Sequence, residues 1–419
     1  MNTTRQIYEK TAPYGIDFDT VNDVMHRIGD PESHRLLPVQ SQMKGVILND
    51  LGQEVMELPY DDWTAATRDG SLGQVMVRVP EHWMKFDGTR ASNTINRVWL
   101  SASPKSGFIH IPTYYVGAYE AALQRSTSKL ASVVNDTADY RGGNNASSWD
   151  ATYRSLLGMP ATNISLTDFR SYARNRNSGD TRWNAYPYFL HRDLYWLFAV
   201  EYASFNSQAA FTAVKTQEGY AQGGLGDGVT TWTDSAWNSH NSYNPIVPCG
   251  VTDSLGNSSG TVNYSVKDSS NNVLITFAVP RYRGIENIFG HIWKWSDGAL
   301  IDGTSSINAV YTCDRPALFN STSYSNYKSI GNEVRSNGYV KKIIFGNDGD
   351  IFPTQVGGSA STWYYDYHYT NTSSNSLRGC LLGGSVSLGS RSGLGCVYAD
   401  LVPSGSGLRI GSRLCFFPR

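Results

Sequence analysis

The stretch Arg281-Tyr-Arg-Gly-Ile-Glu-Asn-Ile-Phe-Gly-His-Ile-Trp-Lys-Trp-Ser-Asp-Gly298 decides the fold, because its middle alternates with a period of two. The alternation puts Trp293 and Trp295 on one face, and Gly290 and Gly298 bound it, a pattern typical of a β-strand. A packed tryptophan buries roughly 150–250 Å², which at about 25 cal/mol per Å² contributes several kcal/mol as an upper value. We therefore predict a strand in the middle of the core, with both tryptophans as scaffold.

The same stretch resembles a known fold. Residues 287–298 resemble the Gly-Asn-Val-Trp-Glu-Trp core strand of the formylglycine-generating-enzyme type of C-type lectin fold, with His291 and Lys294 where that family usually has Asn and Glu. The chain resembles still more closely a group of receptor-binding proteins from phages of gut Bacteroidetes, many of which are variable proteins of diversity-generating retroelements. This resemblance implies an α+β, C-type-lectin-like fold with paired helices, an antiparallel sheet and long loops.

The composition argues against two classes of partner. A net charge of −1 gives no field that attracts nucleic acid or an anionic membrane surface. No apolar run approaches the roughly 20 residues that cross a bilayer, so we expect no membrane insertion. The first ten residues lack the apolar core of a signal peptide, which favours a protein made in the cytoplasm. With 26 tyrosines and only 17% charged residues, the chain is typical of a strand-rich and loop-rich protein.

Two regions are expected along the chain. Residues 1–70 are predicted to be a small N-terminal region for attachment or packing, with a hairpin over 43–58 that turns at 49–52. Residues 71–419 are predicted to be the lectin-like, ligand-binding domain. Its opening strand, Gly73-Gln-Val-Met-Val-Arg-Val-Pro80, is similar to the Gly-Gln-Val-Met-Val-x-Ile-Pro strand that opens the fold in the phage proteins.

Two helices are predicted inside this domain. Ser165-Leu-Thr-Asp168 is a capping box, which favours a helix that continues to about Arg176. Apolar residues at helical spacing predict a second helix over 191–205, in which Glu201 is interpreted as a core-edge glutamate bonded to backbone. Both match the paired helices of the resembled fold. Residues 229–280, rich in Thr, Ser and Asn, are interpreted as an insertion or as a β-rich part of the same domain.

The run Trp363-Tyr-Tyr-Asp-Tyr-His-Tyr369 holds five aromatic residues among seven. Strand alternation would place Trp363, Tyr365, Tyr367 and Tyr369 on one face and the remaining three residues on the other. One face can be core, but both cannot easily be. Tyrosine offers a large contact area at low entropic cost and a hydroxyl that suits many partners, so the run indicates a binding surface.

The segment 357–419 resembles the terminal, variable segment of the retroelement-diversified proteins. Leu382-Gly-Gly384 and Ile410-Gly-Ser-Arg-Leu414 match the start and the end of that segment. The resemblance implies that positions between these anchors vary and face outward. Together with the aromatic run, this gives the predicted ligand-binding residues: Trp363, Tyr364, Tyr365, Tyr367, His368, Tyr369, Ser385, Ser387, Leu388, Arg391, Tyr398, Asp400 and Leu408.

The sequence supports an enzyme less well than it supports a binding protein. The enzymes that name the fold oxidise a cysteine with a close cysteine pair, and Cys380, Cys396 and Cys415 are spaced so that a pair is neither supported nor excluded. Five cysteines form no Cys-x-x-Cys motif, and the histidines show no metal spacing, so no cofactor and no disulfide framework are expected. A glycan depolymerase would require a pair of catalytic carboxylates, and the sequence pattern identifies no such pair.

The sequence therefore predicts a binding protein rather than an enzyme. The resemblance implies a phage tail-fibre receptor-binding protein that is assembled in the host cytoplasm and carried on the virion. Its partners would be a bacterial host surface receptor and other tail proteins, and it would form a homo-oligomer, with a trimer favoured. A host glycan and a surface protein remain equally open as the ligand.

Overall fold

Strands dominate the part of the chain that the computed structural model describes, which is residues 12–88, 94–143, 155–226, 231–304, 306–359, 364, 366–373 and 375–418. The helices are α1 (Pro31–Leu36), α2 (Leu166–Arg174), α3 (Tyr188–Tyr202) and α4 (Asp234–Asn241). The strands of the first half are β1 (Tyr14–Asp19), β2 (Val24–Gly29), β3 (Lys44–Leu48), β4 (Glu54–Glu57), β5 (Gln74–Val79), β6 (His82–Asp87), β7 (Ile95–Ser101), β8 (Ile109–Ile111), β9 (Tyr114–Gly117), β10 (Ala122–Gln124), β11 (Lys129–Ala131) and β12 (Trp183–Ala185). Those of the second half are β13 (Gly260–Lys267), β14 (Val273–Tyr282), β15 (Ile285–Glu286), β16 (Trp293–Gly303), β17 (Asn308–Thr312), β18 (Lys328–Glu333), β19 (Gly338–Phe345), β20 (Asp350–Val356), β21 (Tyr367–Thr370), β22 (Leu377–Leu382), β23 (Val397–Ala399), β24 (Ile410–Gly411) and β25 (Leu414–Phe416).

Three larger sheets organise these strands. The first has the order β2-β1-β7-β6-β8, and the second has the order β12-β25-β9-β5-β3-β4. The third has nine strands in the order β18-β17-β16-β22-β23-β21-β19-β20, with β24 paired to β16. Most pairs are antiparallel, as expected, but β21 and β23 run parallel. The protein is thus mostly β with a few helices, and the C-type-lectin-like topology stays a prediction.

The predicted tryptophan strand is confirmed as β16, near the middle of the nine-stranded sheet. Trp295 is fully buried and Trp293 is 5% exposed. The strand does not end at Gly298, as the sequence suggested. Instead Gly298 has a φ of +73° inside β16, where the register with β22 shifts. A Cβ at that position would lie 2.6 Å from the Phe319 ring, so this glycine makes an internal bulge.

The other face of β16 is also covered, and it buries charge. Lys294 is 1% exposed, and its Nζ lies 3.3 Å from Glu120 Oε1. His291 Nε2 accepts hydrogen bonds from two backbone N–H groups at 3.2 Å, so its Nδ1 carries the proton and donates to Glu120 Oε2 at 2.7 Å. Burial lowers the pKa of Lys294 to about 8. His291 and Lys294, the two departures from the resembled motif, therefore share one buried carboxylate.

The N-terminal region is joined to the rest of the chain by its hydrogen bonds. The predicted hairpin is confirmed, because β3 and β4 are antiparallel and a turn over 49–52 connects them. However, β1 pairs with β7, and β3 pairs with β5. In the described part of residues 1–70, the chain supplies strands to two sheets that later residues complete, so position 70 does not separate two hydrogen-bonded units.

Both predicted helices are present, with one shift in position. Ser165 Oγ accepts the Asp168 N–H at 3.1 Å and caps α2, as the sequence predicted. Helix α3 lies three residues earlier than predicted, because it begins after Pro187 and ends where Ala203 takes a φ of +49°. The interpretation of Glu201 was wrong: its carboxylate accepts hydrogen bonds from Arg283 at 2.5 Å and from the Tyr282 hydroxyl at 3.0 Å. No helix among the described residues is long and apolar enough to cross a membrane.

The core beneath the nine-stranded sheet supports the segment predicted to bind. Trp293, Trp295, Leu381 and Cys396 belong to one buried apolar cluster, which continues into the six-stranded sheet. The region 229–280 forms a smaller cluster with side chains from α4, β13 and β14, and Val386 of the terminal segment packs into it. The terminal segment therefore packs against two separate apolar clusters.

Candidate functional site

Four tyrosines from three neighbouring strands form a continuous aromatic surface, which we call the tyrosine ribbon: Tyr339 on β19, Tyr367 and Tyr369 on β21, and Tyr398 on β23. Tyr339 is the register partner of Tyr367, and Tyr369 is the partner of Tyr398. Successive ring centroids lie 5.2, 4.7 and 5.7 Å apart along the ribbon. All four side chains are half-buried, so part of each ring reaches solvent.

Trp293 forms the floor of the ribbon. Its ring centroid lies 5.4 Å from that of Tyr398 and 6.2 Å, edge to face, from that of Tyr369. Leu388 and Leu401 pack against the same buried cluster from the sides. Because contacts between aromatic rings at these distances are favourable, the floor holds the outer rings in place before any ligand arrives.

Arg391 is the exposed cation of the site. Its guanidinium lies 5.0 Å from the Tyr367 ring centroid, and its Nη1 donates to the Tyr369 hydroxyl at 3.4 Å. The hydrogen bond to Tyr369 raises the pKa of Arg391, so the group stays charged. Within the described residues Arg391 forms no ion pair with a carboxylate. The sequence predicted both Arg391 and the two tyrosines it touches, and the structure brings them together.

The opposite face of β21 is buried, which corrects two of the predicted contacts. Tyr364 is 5% exposed and stacks on Phe205 at 4.7 Å. His368 is fully buried, its Nε2 lies 3.3 Å from the Val334 carbonyl oxygen, and burial lowers its pKa to about 4. A ligand on the surface cannot touch either side chain, so we leave both out of the candidate site. The predicted alternation itself is confirmed over the described residues.

Ser385 is a third correction, since it is fully buried. Ser387 and Leu388 are half-buried on the same segment, and Asp400 is half-buried beside Tyr398, whose hydroxyl lies 3.5 Å from Asp400 Oδ2. Leu408 is half-buried just before β24, and within the described residues it is not brought into the ribbon. Trp363 and Tyr365 lie outside the described residues.

The segment 385–395, which carries Arg391, is held from below by three buried side chains. Gln208 donates two hydrogen bonds to backbone carbonyls of the segment, and the Ser207 hydroxyl accepts a backbone N–H at 2.9 Å. Asp366 Oδ2 accepts the Gly395 N–H at 2.6 Å. A Cβ at Gly393 would overlap the Asp366 carboxyl, so that position requires glycine. The turn is therefore fixed by residues that lie outside it.

We expect Asp366→Asn to stabilise the protein at high pH. Burial raises the pKa of the Asp366 carboxyl well above its ordinary value, so the folded state keeps a proton that the unfolded chain releases near pH 3.8. The folded state then binds more protons, and stability falls as pH rises. Asparagine has the shape of the protonated acid and removes this fall. The melting temperature should rise at about pH 8 and hardly change at about pH 3, below the unfolded pKa, where both states hold the proton.

Thermal melts of the wild type and the variant at both pH values measure this effect. A variant that is less stable than the wild type at the higher pH would contradict it, because Asp366 would then be an ionised and stabilised group. The comparison at the lower pH controls for any change in packing or hydrogen bonding that the amide itself introduces.

The cysteines offer no activated nucleophile. All five are free thiols and all are buried. Burial raises the pKa of Cys380 and Cys396 well above the ordinary value, which disfavours the reactive thiolate. Within the described residues, no group of three or more His, Cys, Asp or Glu side chains is placed to hold a metal ion. The geometry of the ribbon therefore supplies a contact surface.

Two members of the site were missed by sequence reasoning. Tyr339 lies about 30 residues before the aromatic run, and only the pairing of β19 with β21 brings it to Tyr367. Trp293 was predicted as scaffold, which is correct, but its place directly under the ribbon was not foreseen. The strand pattern over 338–345 could have suggested a pairing, although it could not have selected the partner strand.

Comparisons with known proteins give weak similarities. No protein-family model matches the sequence, and no curated protein matches it. Among solved structures, the chain is similar to "Major Tropism Determinant U1 Variant" with a TM-score of 0.28 and 12% identity, over 89% of this chain and 71% of that one. For "Major Tropism Determinant P3c Variant" the TM-score is 0.27 and the identity 12%, over 89% of this chain and 71% of that one. For "Major Tropism Determinant I1 Variant" the TM-score is 0.24 and the identity 11%, over 88% of this chain and 78% of that one. Similarity at this level establishes neither a common fold nor a common function.

Proposed function

We propose that the protein is a receptor-binding adhesin of a phage tail, which holds a ligand on the bacterial host surface through the tyrosine ribbon and Arg391. The observation that carries this proposal is the ribbon itself, with four partly exposed tyrosines in register across three strands. Isolated exposed aromatics are ordinary, whereas a contiguous set beside an exposed arginine has the composition of binding hot spots.

The rigidity of the site supports the same function. Trp293 supports the rings, and Ser207, Gln208 and Asp366 fix the turn that carries Arg391. A surface that is ordered before binding loses little conformational entropy when the ligand arrives. The exposed Arg391 and the half-buried Ser387 can then change without removing the contacts that hold the turn. This is what a surface diversified by a retroelement would require.

The resemblance of the terminal segment supplies the biological setting. In this proposal the protein is a virion component that contacts other tail proteins and needs no cofactor, nucleic acid or membrane insertion. It acts as a binding protein and not as an enzyme. It forms a homo-oligomer, with a trimer favoured, since several weak sites acting together gain avidity. Light scattering that returns only the 46.2 kDa of one chain would contradict the oligomer.

Binding to whole bacteria tests the function. Fluorescently labelled protein is titrated onto a panel of bacterial strains, and the fluorescence per cell is measured. We expect saturable binding to some strains and a loss of about tenfold or more with Tyr398→Ala. Tyr60→Ala removes a tyrosine that is 56% exposed outside the ribbon, so it is the matched control and should bind like the wild type.

Two outcomes would contradict the proposal. The first is the absence of saturable binding to any strain. The second is binding that Tyr398→Ala leaves unchanged in a variant with the wild-type melting temperature. Loss of binding or of turnover on Cys396→Ser, with the ribbon variants unaffected, would instead favour the cysteine oxidoreductase.

A further inference from the structure

The tyrosine ribbon carries a positive and a negative group at different places. The Arg391 guanidinium lies over Tyr367, donates to the Tyr369 hydroxyl and has no carboxylate partner within the described residues. At the Tyr398 end of the ribbon, Asp400 lies beside the Tyr398 hydroxyl and accepts a hydrogen bond from the Asn371 amide. Two further arginines act on Tyr398: Arg409, which is paired with Asp234 at 2.9 Å, and the buried Arg378. Within the described residues the ribbon therefore offers an exposed cation beside Tyr367 and Tyr369 and, beyond the rings of Tyr369 and Tyr398, a carboxylate acceptor.

The ribbon lines neither of two cavities found in the described part of the chain, one beside Leu225 and Pro280 and one beside His291 and Val386. A protein ligand usually anchors itself by inserting an apolar or aromatic side chain into a desolvated pocket. Neighbouring rings of the ribbon are tilted against one another by 41° to 79°, and Arg391 lies over the ring of Tyr367. The partly exposed rings of Tyr369 and Tyr398, backed by Trp293, offer an apolar contact to the non-polar C–H face of a pyranose ring.

We propose that the ligand of the tyrosine ribbon is an acidic saccharide, that is, a glycan bearing a carboxylate or sulfate group. This inference rests on the adhesin function proposed above and names the ligand class for the same site. The anionic group binds Arg391, whose planar guanidinium matches a carboxylate or sulfate with two parallel hydrogen bonds. The sugar rings lie on Tyr369 and Tyr398.

The hydroxyl groups of the ligand complete the match at the far end. A carboxylate such as that of Asp400 accepts hydrogen bonds from alcohol donors, which saccharides carry in number. The half-buried hydroxyls of Ser387 and Ser390 lie on the segment that carries Arg391, where they can donate or accept. A peptide with several carboxylates in a row would meet repulsion between them and Asp400, whereas a saccharide with one anionic group and several hydroxyls suits both Arg391 and Asp400. This combination favours the saccharide.

An array of immobilised glycans tests the ligand class, with uronate, sialate and sulfated glycans beside neutral ones. We expect the full-length protein to be retained by acidic glycans only. Arg391→Gln should weaken that retention about tenfold or more, as loss of a charge-assisted contact does. Arg315→Gln, at an exposed arginine outside the ribbon, is the matched control and should have no effect. Methyl esterification of a retained uronate glycan should reduce its binding as strongly as Arg391→Gln does.

Retention of neutral glycans alone, or of no glycan at all, would overturn the proposal that the ligand is an acidic saccharide. Periodate and protease treatment of the strains used for whole-cell binding distinguishes a wrong ligand class from a wrong adhesin function. Ribbon-dependent binding that survives periodate oxidation of the cells but is lost after protease treatment would identify a protein ligand and leave the adhesin function intact. Binding lost after periodate and after carboxyl neutralisation, but kept after protease, is the result expected for an acidic glycan.

Discussion

Trp295→Ala should lower the free energy of unfolding by about 3–5 kcal/mol, the usual cost of truncating a large buried aromatic side chain. The indole is fully buried in the cluster that joins two sheets. Gly379 of β22 approaches so closely that a Cβ there would lie 2.6 Å from the ring, so on this side the ring packs against backbone that has no side chain to fill the space. Chemical denaturation of the variant and the wild type measures the difference.

The matched comparison for this variant is Arg391→Ala on the exposed turn. It should change the free energy of unfolding by no more than about 0.5 kcal/mol, as exposed positions do. If the arginine variant were as unstable as the tryptophan variant, the division between scaffold and binding surface would be wrong.

Glu120→Gln should cost about 3–5 kcal/mol at neutral pH, because it leaves the buried Lys294 ammonium without its counter-charge. The glutamine keeps the shape and can still accept the hydrogen bond from His291. The pKa of Lys294 is already lowered to about 8 by burial, and loss of the carboxylate lowers it further. Below about pH 8 the folded variant then binds fewer protons than the folded wild type, so the stability of the variant rises with pH while that of the wild type does not. The cost should therefore shrink as pH rises toward about 8 and stay constant above it, where both folded proteins have lost the Lys294 proton.

A second variant keeps this prediction independent of a general loss of packing. Glu120→Gln combined with Lys294→Met removes both charges, and it should recover much of the lost stability, because replacing a whole buried ion pair by apolar groups is often neutral. A double variant that is less stable than Glu120→Gln alone would contradict the role given to the pair.

The sequence was sufficient for the features that local physics decides. A period of two marked the Trp293 strand, and a serine three residues before an acid marked the start of α2. Alternation also assigned Tyr367 and Tyr369 to one face. However, alternation says which residues share a face and not which face is covered. Tyr364 and His368 were therefore included with the surface, although the packing of Phe205 and the neighbouring strands buries them.

Contacts between distant segments were beyond the reach of the sequence. Tyr339 joins the ribbon only through strand register, and Ser385 is buried because the Gly-rich turn folds inward, which its glycines permit but do not require. Lys294 is polar and would ordinarily face water. It is buried because β16 is covered on both faces, and Glu120, far away in sequence, compensates its charge.

The affinity of the double variant Tyr369→Ala/Tyr398→Ala for a strain that binds the wild type is the most direct test of the tyrosine ribbon. These two rings sit opposite each other on β21 and β23 over Trp293, so their loss removes the centre of the surface while the floor stays in place. If the ribbon binds the ligand, the Kd should rise by about a hundredfold or more, since each hot-spot side chain contributes about 2 kcal/mol. A Kd within about twofold of the wild type, in a variant that melts at the wild-type temperature, would contradict it.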